Sequence, residues 1–256
     1  MIIFYSKVFQ SLNSKHMLQT PPKFTCKITR KRRVITCSPG SAFVLKRAFA
    51  RFFKGLVEDA KLYKRLDPSV KSPLVLFLHA GYHSMILYRL ARLFYDLKMY
   101  PVSFLIYYLN RILFSVDIHP RADIEPGVVI DHGVGVVIGS TATVGSGTLI
   151  YHGVTLGARR VQTGKRHPDI GRNVLIGAGA KVLGPIRVGD GARIGANAVV
   201  LRDVPPGAVA VGIPATIRRS NVPDPSVHLH GEDSVESMDS LDLESGENVG
   251  TGRYTD

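Results

Sequence analysis

The sequence predicts an α+β protein, with an N-terminal helical domain followed by a left-handed parallel β-helix of hexapeptide repeats. Aliphatic residues recur at every sixth position through most of the second half: Ile118, Ile124 and Ile130; Ile138, Val144, Ile150 and Leu156; Ile170, Ile176, Val182, Val188, Ile194 and Val200. Of these, Ile138, Val144, Leu156, Ile170, Ile176, Val188 and Ile194 stand directly before a glycine. Ahead of them, apolar residues follow helical spacing instead. A helix repeats about every 3.6 residues and a strand every 2, so neither produces a period of six. A coil of hexapeptides does, because each one forms a short flat side and turns one aliphatic side chain inward.

Four segments follow in order. Residues 1–40 hold eight Lys or Arg and no Asp or Glu, and close on Ser38-Pro39-Gly40. Such a composition suits an organellar transit peptide, a disordered extension, or translation from an upstream Met. Residues 41–116 form the helical domain. Leu45, Phe49, Phe52, Phe53 and Leu56 share one face of a first helix over 42–66, a face for packing on the next helices or, alternatively, a membrane surface. Pro68 and Pro73 interrupt the chain, a second helix runs from about Leu74 to Lys98, and Pro101 opens a third that reaches about Val116. Residues 117–217 form the β-helix, a little over four coils at about three hexapeptides per turn. Pro205-Pro206 and Pro214 end it. Residues 218–256 form an acidic tail, with nine acids against Arg253 alone after position 220; it has no aliphatic period and is expected to be disordered.

The net charge of +13 reads either as solvated corners that keep the stack soluble or as attraction for a polyphosphate ligand. The longest apolar stretch, Leu74 to Leu97, is broken by His79, His83, Arg89 and Arg92, so no membrane-spanning helix is expected there. Cys26 and Cys37 lie outside any predicted core, which argues against a disulfide framework and against a catalytic thiol.

The period breaks twice, and insertions in repeat proteins tend to sit on the binding face. Between Ile130 and Ile138 the gap is eight, with the extra residues around Asp131-His132-Gly133. Between Leu156 and Ile170 the gap is fourteen, enclosing the polar segment 157–169 with Arg166 and His167. Asp117 lies about one coil before His132, so the two are expected near each other on neighbouring rungs. A carboxylate on one imidazole nitrogen frees the other to accept a hydroxyl proton. His132, His152 and His167 also raise the alternative of a three-histidine metal site with an open position.

Residues 67–217 resemble the serine O-acetyltransferases. The matching strings are Asp117-Ile118-His119-Pro120, Ile130-Asp131-His132-Gly133, Val154-Thr155-Leu156-Gly157, Gly164-Lys165-Arg166-His167-Pro168, the run Ile176 to Gly184, Val204-Pro205-Pro206-Gly207 and Val211-Gly212-Ile213-Pro214-Ala215. Asp67-Pro68 and Gly81-Tyr82-His83 resemble the family's helical domain. The resemblance implies acetyl transfer from acetyl-CoA to L-serine, with acetyl-CoA as co-substrate and no permanently bound cofactor or metal. It implies His132 as general base, Asp117 as its orienting partner, and His167 from a neighbouring subunit near the reacting hydroxyl. Asp67, Asp131 and Arg166 would hold serine; Ala158, Ala178, Arg193 and Ala196 would touch CoA in a groove between subunits of a trimer or dimer of trimers. Feedback inhibition by cysteine is expected on the same ground. Two departures from the family pattern are Ser140, where Glu is common, and Ala158-Arg159-Arg160 in place of a glycine-rich start to the loop.

An acetyltransferase for another hydroxyl acceptor, such as a sugar, is the alternative reading. The family's usual complex with O-acetylserine sulfhydrylase runs through a C-terminal Ile; Tyr254-Thr255-Asp256 makes that complex unexpected here. The expected compartment is the cytoplasm, or a plastid or mitochondrion if residues 1–40 are a transit peptide. No nucleic-acid or membrane partner is expected.

Overall fold

The computed structural model describes residues 24–29, 34–39, 41–66, 76 and 79–218. Asp67, the expected helix start at Leu74 and the acidic tail beyond Arg218 lie outside them. In the basic N-terminal segment, β1 (Phe24–Thr29) and β2 (Val34–Pro39) pair antiparallel. Their β-branched residues, Thr25, Ile28, Thr29, Val34, Ile35 and Thr36, suit strands; charge and hydroxyl content alone did not reveal them.

Among the described residues three helices follow: α1 (Ser41–Leu66), α2 (Ala80–Asp96) and α3 (Tyr100–Phe114). Pro101 sits in the first turn of α3, where a missing N–H costs nothing, and Ser115 ends the helix in the left-handed region at φ 55°. No helix among the described residues is long and apolar enough to cross a membrane.

The coil then winds as a left-handed parallel β-helix with three faces. The first stacks β3 (Asp117–Ile118), β6 (Val137–Ile138), β9 (Thr155–Gly157), β12 (Lys181–Leu183) and β15 (Val199–Val200). The second stacks β4 (Asp123–Ile124), β7 (Thr143–Val144), β10 (Asp169–Ile170) and β13 (Arg187–Val188). The third stacks β5 (Val129–Ile130), β8 (Leu149–Ile150), β11 (Leu175–Ile176), β14 (Arg193–Ile194) and β16 (Val209–Val211), with β17 (Thr216–Arg218) folded back antiparallel on β16. Most of these strands have only two residues, too short for strand twist to impose the usual right-handed crossover. Every sixth-residue aliphatic predicted to point inward is buried, with Ile170 the most accessible at 4%. Register holds across both insertions: Ile118 pairs with Ile138 across the first, and Val144 with Ile170 across the second.

Among the described residues no strand lies beneath the first coil, so its downward backbone groups need other partners. Helix side chains supply them. The Tyr88 hydroxyl donates to Ala122 O at 2.7 Å and accepts from Ile124 N at 3.2 Å. The Tyr63 hydroxyl donates to Ile130 O at 2.7 Å and accepts from Ile130 N at 3.1 Å. Arg89 donates to Ile124 O and Glu125 O at 2.6 and 2.7 Å, while Asp59 Oδ1 accepts from Gly127 N and Val128 N at 2.8 and 3.1 Å. Arg89 and Asp59 also meet each other in a two-pronged pair at 3.0 Å, with side chains only 2% and 1% exposed.

Removing one member of such a pair strands the other charge in the interior. Asp59→Ala is expected to destabilise the fold by about 3–5 kcal/mol, read as a fall in unfolding midpoint by chemical denaturation.

Candidate functional site

The first insertion lifts Asp131-His132-Gly133 out of the corner between the third and first faces. His132 sits there in the left-handed region, φ 60°, which His visits more readily than most residues but at a cost of about 1–3 kcal/mol. Its side chain is 72% exposed, with Nε2 3.8 Å from Asp131 Oδ2. Two features hold the corner from below. Tyr63 brackets the backbone of Ile130, the preceding residue but one. Helix α2 approaches so closely at Gly81 that a Cβ there would lie 1.9 Å from Ile130 O.

Higher coils turn at the same edge. Gly153 N donates to Val134 O, Gly179 N to His152 O, and Asn197 N to Ala178 O, each at 2.8 Å. His132, His152, Ala178 and Ala196 therefore climb one edge, and the His132 and His152 rings stand 5.8 Å apart, edge to face. Arg193, half-buried on β14 of the third face, lies beside the top of this column.

The opposite edge of the first face carries a different group. There His119 belongs to the first coil, Thr141 to the second, and the segment 157–168 to the third. Ala158, Arg166 and His167 are on this edge, not with His132. His167 is 7% exposed. Its Nδ1 lies 2.8 Å from Thr141 Oγ1 and accepts from Thr141 N at 3.2 Å. The imidazole rests against Gly139, where a Cβ would lie 2.1 Å from Nε2, so only glycine leaves room for the ring. His119 Nδ1 accepts from Arg121 N at 3.0 Å, and its ring packs on Phe104 and Tyr107.

The expected contact between Asp117 and His132 is not formed: among the described residues no ion pair joins them. Asp117 Oδ1 accepts from the Tyr107 hydroxyl at 2.5 Å, and Arg111 lies 3.7 Å from Oδ2. The backbone does bring their corners together, since Gly135 N donates to Ser115 O at 2.9 Å and Asp117 pairs with Val137. Two things were hidden in the sequence: Tyr107 is a helix residue with no motif around it, and His132 is free to turn toward the nearer Asp131. The three histidines of the metal alternative do not converge within one protomer, because His167 occupies the other edge. No group of three His, Cys, Asp or Glu among the described residues is placed to hold a metal ion.

Sequence reasoning gave Thr141, His119 and Tyr107 no role. His119 stood inside the Asp117 string, which was a usable signal; Thr141 and Tyr107 carried none. Burial, with help from the Asp117 carboxylate, pushes the Tyr107 hydroxyl up to about 12. Burial holds both His119 and His167 below the ordinary imidazole range. Arg166, Lys165 and His119 add to the effect at His167; at His119, Asp117 opposes it while Arg121 and Arg166 add to it.

Both rings thus bind protons more weakly when folded than when unfolded. Stability from this source is intact above the unfolded value, about 6.5, and falls as pH drops through it toward the folded values. Urea midpoints measured from pH 8 to pH 5 are expected to fall below about 6.5, and less steeply in His119→Gln.

Residues 167–202 match the family described as bacterial transferase hexapeptide (six repeats). The chain is 46% identical over 185 residues to a serine acetyltransferase of Synechococcus elongatus, covering 71% of this chain and 76% of that one. Its fold matches a Neisseria gonorrhoeae serine acetyltransferase solved in complex with serine, at TM-score 0.63 and 36% identity, covering 68% of this chain and 73% of that chain. It likewise matches a serine acetyltransferase solved in complex with CoA, at TM-score 0.63 and 36% identity, over 69% of this chain and 75% of that chain.

Proposed function

Because this chain belongs to the serine acetyltransferase family, we propose that it transfers acetyl from acetyl-CoA to the hydroxyl of L-serine with His132 as general base. The observation that carries the assignment of the base is the outward step of His132, an exposed imidazole held in a costly backbone conformation by Tyr63 and Gly81.

Serine's neutral hydroxyl is a weak nucleophile. His132 takes its proton as the oxygen attacks the thioester carbonyl; the C–S bond then breaks, and the departing CoA thiolate takes the proton back from the imidazolium. No residue of the chain is acylated. General-base help of this kind contributes about 10²–10⁴-fold, and holding both substrates in place contributes more. Asp117 orients His132 once the exposed imidazole turns toward it; a carboxylate has lone pairs enough to keep Tyr107 as well. Asp131 faces the substrate ammonium, and Arg166 the carboxylate, with Asp67 completing the serine site. CoA lies along the edge of Ala178 and Ala196, whose methyl groups let the ligand approach the backbone. Arg193 beside that edge meets a phosphate, and Ala158 contributes from the neighbouring protomer.

Within one protomer His132 and His167 lie at opposite edges of a face, so a complete site needs a second copy. We read the protein as a trimer of this chain. Helix α3 adjoins that face through Tyr107 and Asp117 and leaves an apolar stripe uncovered: Leu105, Tyr108, Leu109, Ile112 and Leu113, between 41% and 63% exposed. Cytoplasmic residence is part of the same reading.

His132→Asn keeps a residue tolerant of the left-handed conformation. It is expected to leave the unfolding midpoint nearly unchanged and to cut kcat by about 10²–10⁴-fold, measured as CoA release with L-serine; near-normal turnover would remove His132 as the base. A panel of sugar acceptors in the same assay separates serine from other hydroxyls. Ile112→Glu is expected to yield smaller species in sedimentation velocity and lower activity at unchanged circular dichroism.

A further inference from the structure

His167 enters the reading above only as a group near the reacting hydroxyl, and the donor that receives the oxyanion has no residue assigned. The hydrogen bonds around His167 decide what kind of group it is. The Thr141 hydroxyl oxygen accepts two backbone N–H groups, from Arg166 at 3.1 Å and His167 at 3.2 Å. Its own single proton is thereby directed at the third neighbour, His167 Nδ1, 2.8 Å away. The Thr141 backbone N–H donates to the same nitrogen at 3.2 Å. Two donors converge on Nδ1, so Nδ1 is an acceptor and the proton of a neutral ring resides on Nε2. Among the described residues Nε2 has no hydrogen-bond partner in its own protomer, and it is not sealed from solvent.

We infer that Thr141 is a positioning residue that fixes His167 as its Nε2–H tautomer, so that His167 meets the reacting oxygen atoms as a neutral hydrogen-bond donor and not as a second base. This rests on the proposed reaction and deepens it. A preorganised donor aimed at the oxygen where charge develops stabilises the tetrahedral species without reorganising. A second free imidazole lone pair would compete with His132 for the hydroxyl proton. Burial, and then Arg166 and Lys165 beside His167, disfavour a positive charge on the ring. The ring lies flush against Gly139, where a Cβ would come within 2.1 Å of Nε2. Ser140, in the position where the family often carries Glu, brings no carboxylate to draw a proton onto Nδ1.

The test needs no turnover for its first part. Nitrogen NMR of the full-length protein with labelled histidine, at pH 7, is expected to show the His167 ring neutral, protonated at Nε2 and bare at Nδ1. The other tautomer or an imidazolium overturns the inference. Thr141→Val keeps the shape and removes the hydroxyl. It should give a mixture of tautomers and a fall in kcat of roughly 10–100-fold, the scale on which misplacing one reacting group acts, at little change in KM. Thr141→Ser should restore both the tautomer and kcat. The acid limb of the kcat/KM profile should stay in place throughout. A Thr141→Val enzyme with full kcat, or one whose acid limb moves, overturns the inference. If that variant does not fold, Gly139→Ala, which displaces the ring while leaving Thr141 intact, is expected to lower kcat, and unchanged kcat would count against the proposal. Failure of the base assignment is separate, being visible as activity in His132→Asn while the His167 spectrum is unaltered.

Discussion

The buried pair between Arg89 and Asp59 joins both domains at the point where a β-helix is weakest. A stack of coils must begin somewhere, and its first coil presents a row of unsatisfied amides and carbonyls. Here each charge of the pair does two things. Arg89 neutralises Asp59 and takes two carbonyls of the first coil; Asp59 takes two amides of the same coil. The low-dielectric setting that makes the pair costly to bury also makes it unforgiving to break. With Tyr63 and Tyr88, it turns the helices into the missing coil below. The site inherits this support, because Tyr63 fixes the strand that leads directly into Asp131 and His132.

The two insertions divide the chemistry between opposite edges of one face. At the first, an imidazole is pushed out into solvent with no fixed partner closer than Asp131. At the second, the loop returns with His167 clamped on Thr141 and flattened against Gly139. These are different kinds of histidine. One is exposed and open to a substrate hydroxyl; the other is held in one tautomer by neighbours that spend their hydrogen bonds on it. That division fits a reaction needing one proton acceptor and one donor, drawn from two copies of the chain.

Much of this was legible in the sequence. A six-residue period is a direct imprint of a coil whose inner wall takes one aliphatic per side, so each anchor from Ile118 to Val200 could be placed before any coordinates. The breaks were legible for the same reason, because a residue that violates a strict period has to leave the wall. What was not legible depends on contacts between distant segments. Nothing local marks Tyr107 as the partner of Asp117, Tyr88 as a surrogate strand, or Gly81 as the glycine against which a carbonyl rests. The Asp117–His132 pairing was inferred from spacing and from the family resemblance. Spacing placed the two corners together correctly, but side-chain orientation is decided by the helix packed alongside.

The edge that carries His132, His152, Ala178 and Ala196 rises by one strand spacing per coil, about 4.8 Å, so its foot and its top are about 14 Å apart. Such a rail works as a ruler. A short acyl donor laid on it reaches the imidazole but leaves the upper steps bare. On the proposed placement of CoA along this edge, a donor with a long slender arm touches every step and delivers its reactive end to the bottom. The repeat that builds the fold thereby sets the length of molecule it can use, and deleting one coil from the middle would change that length by one step.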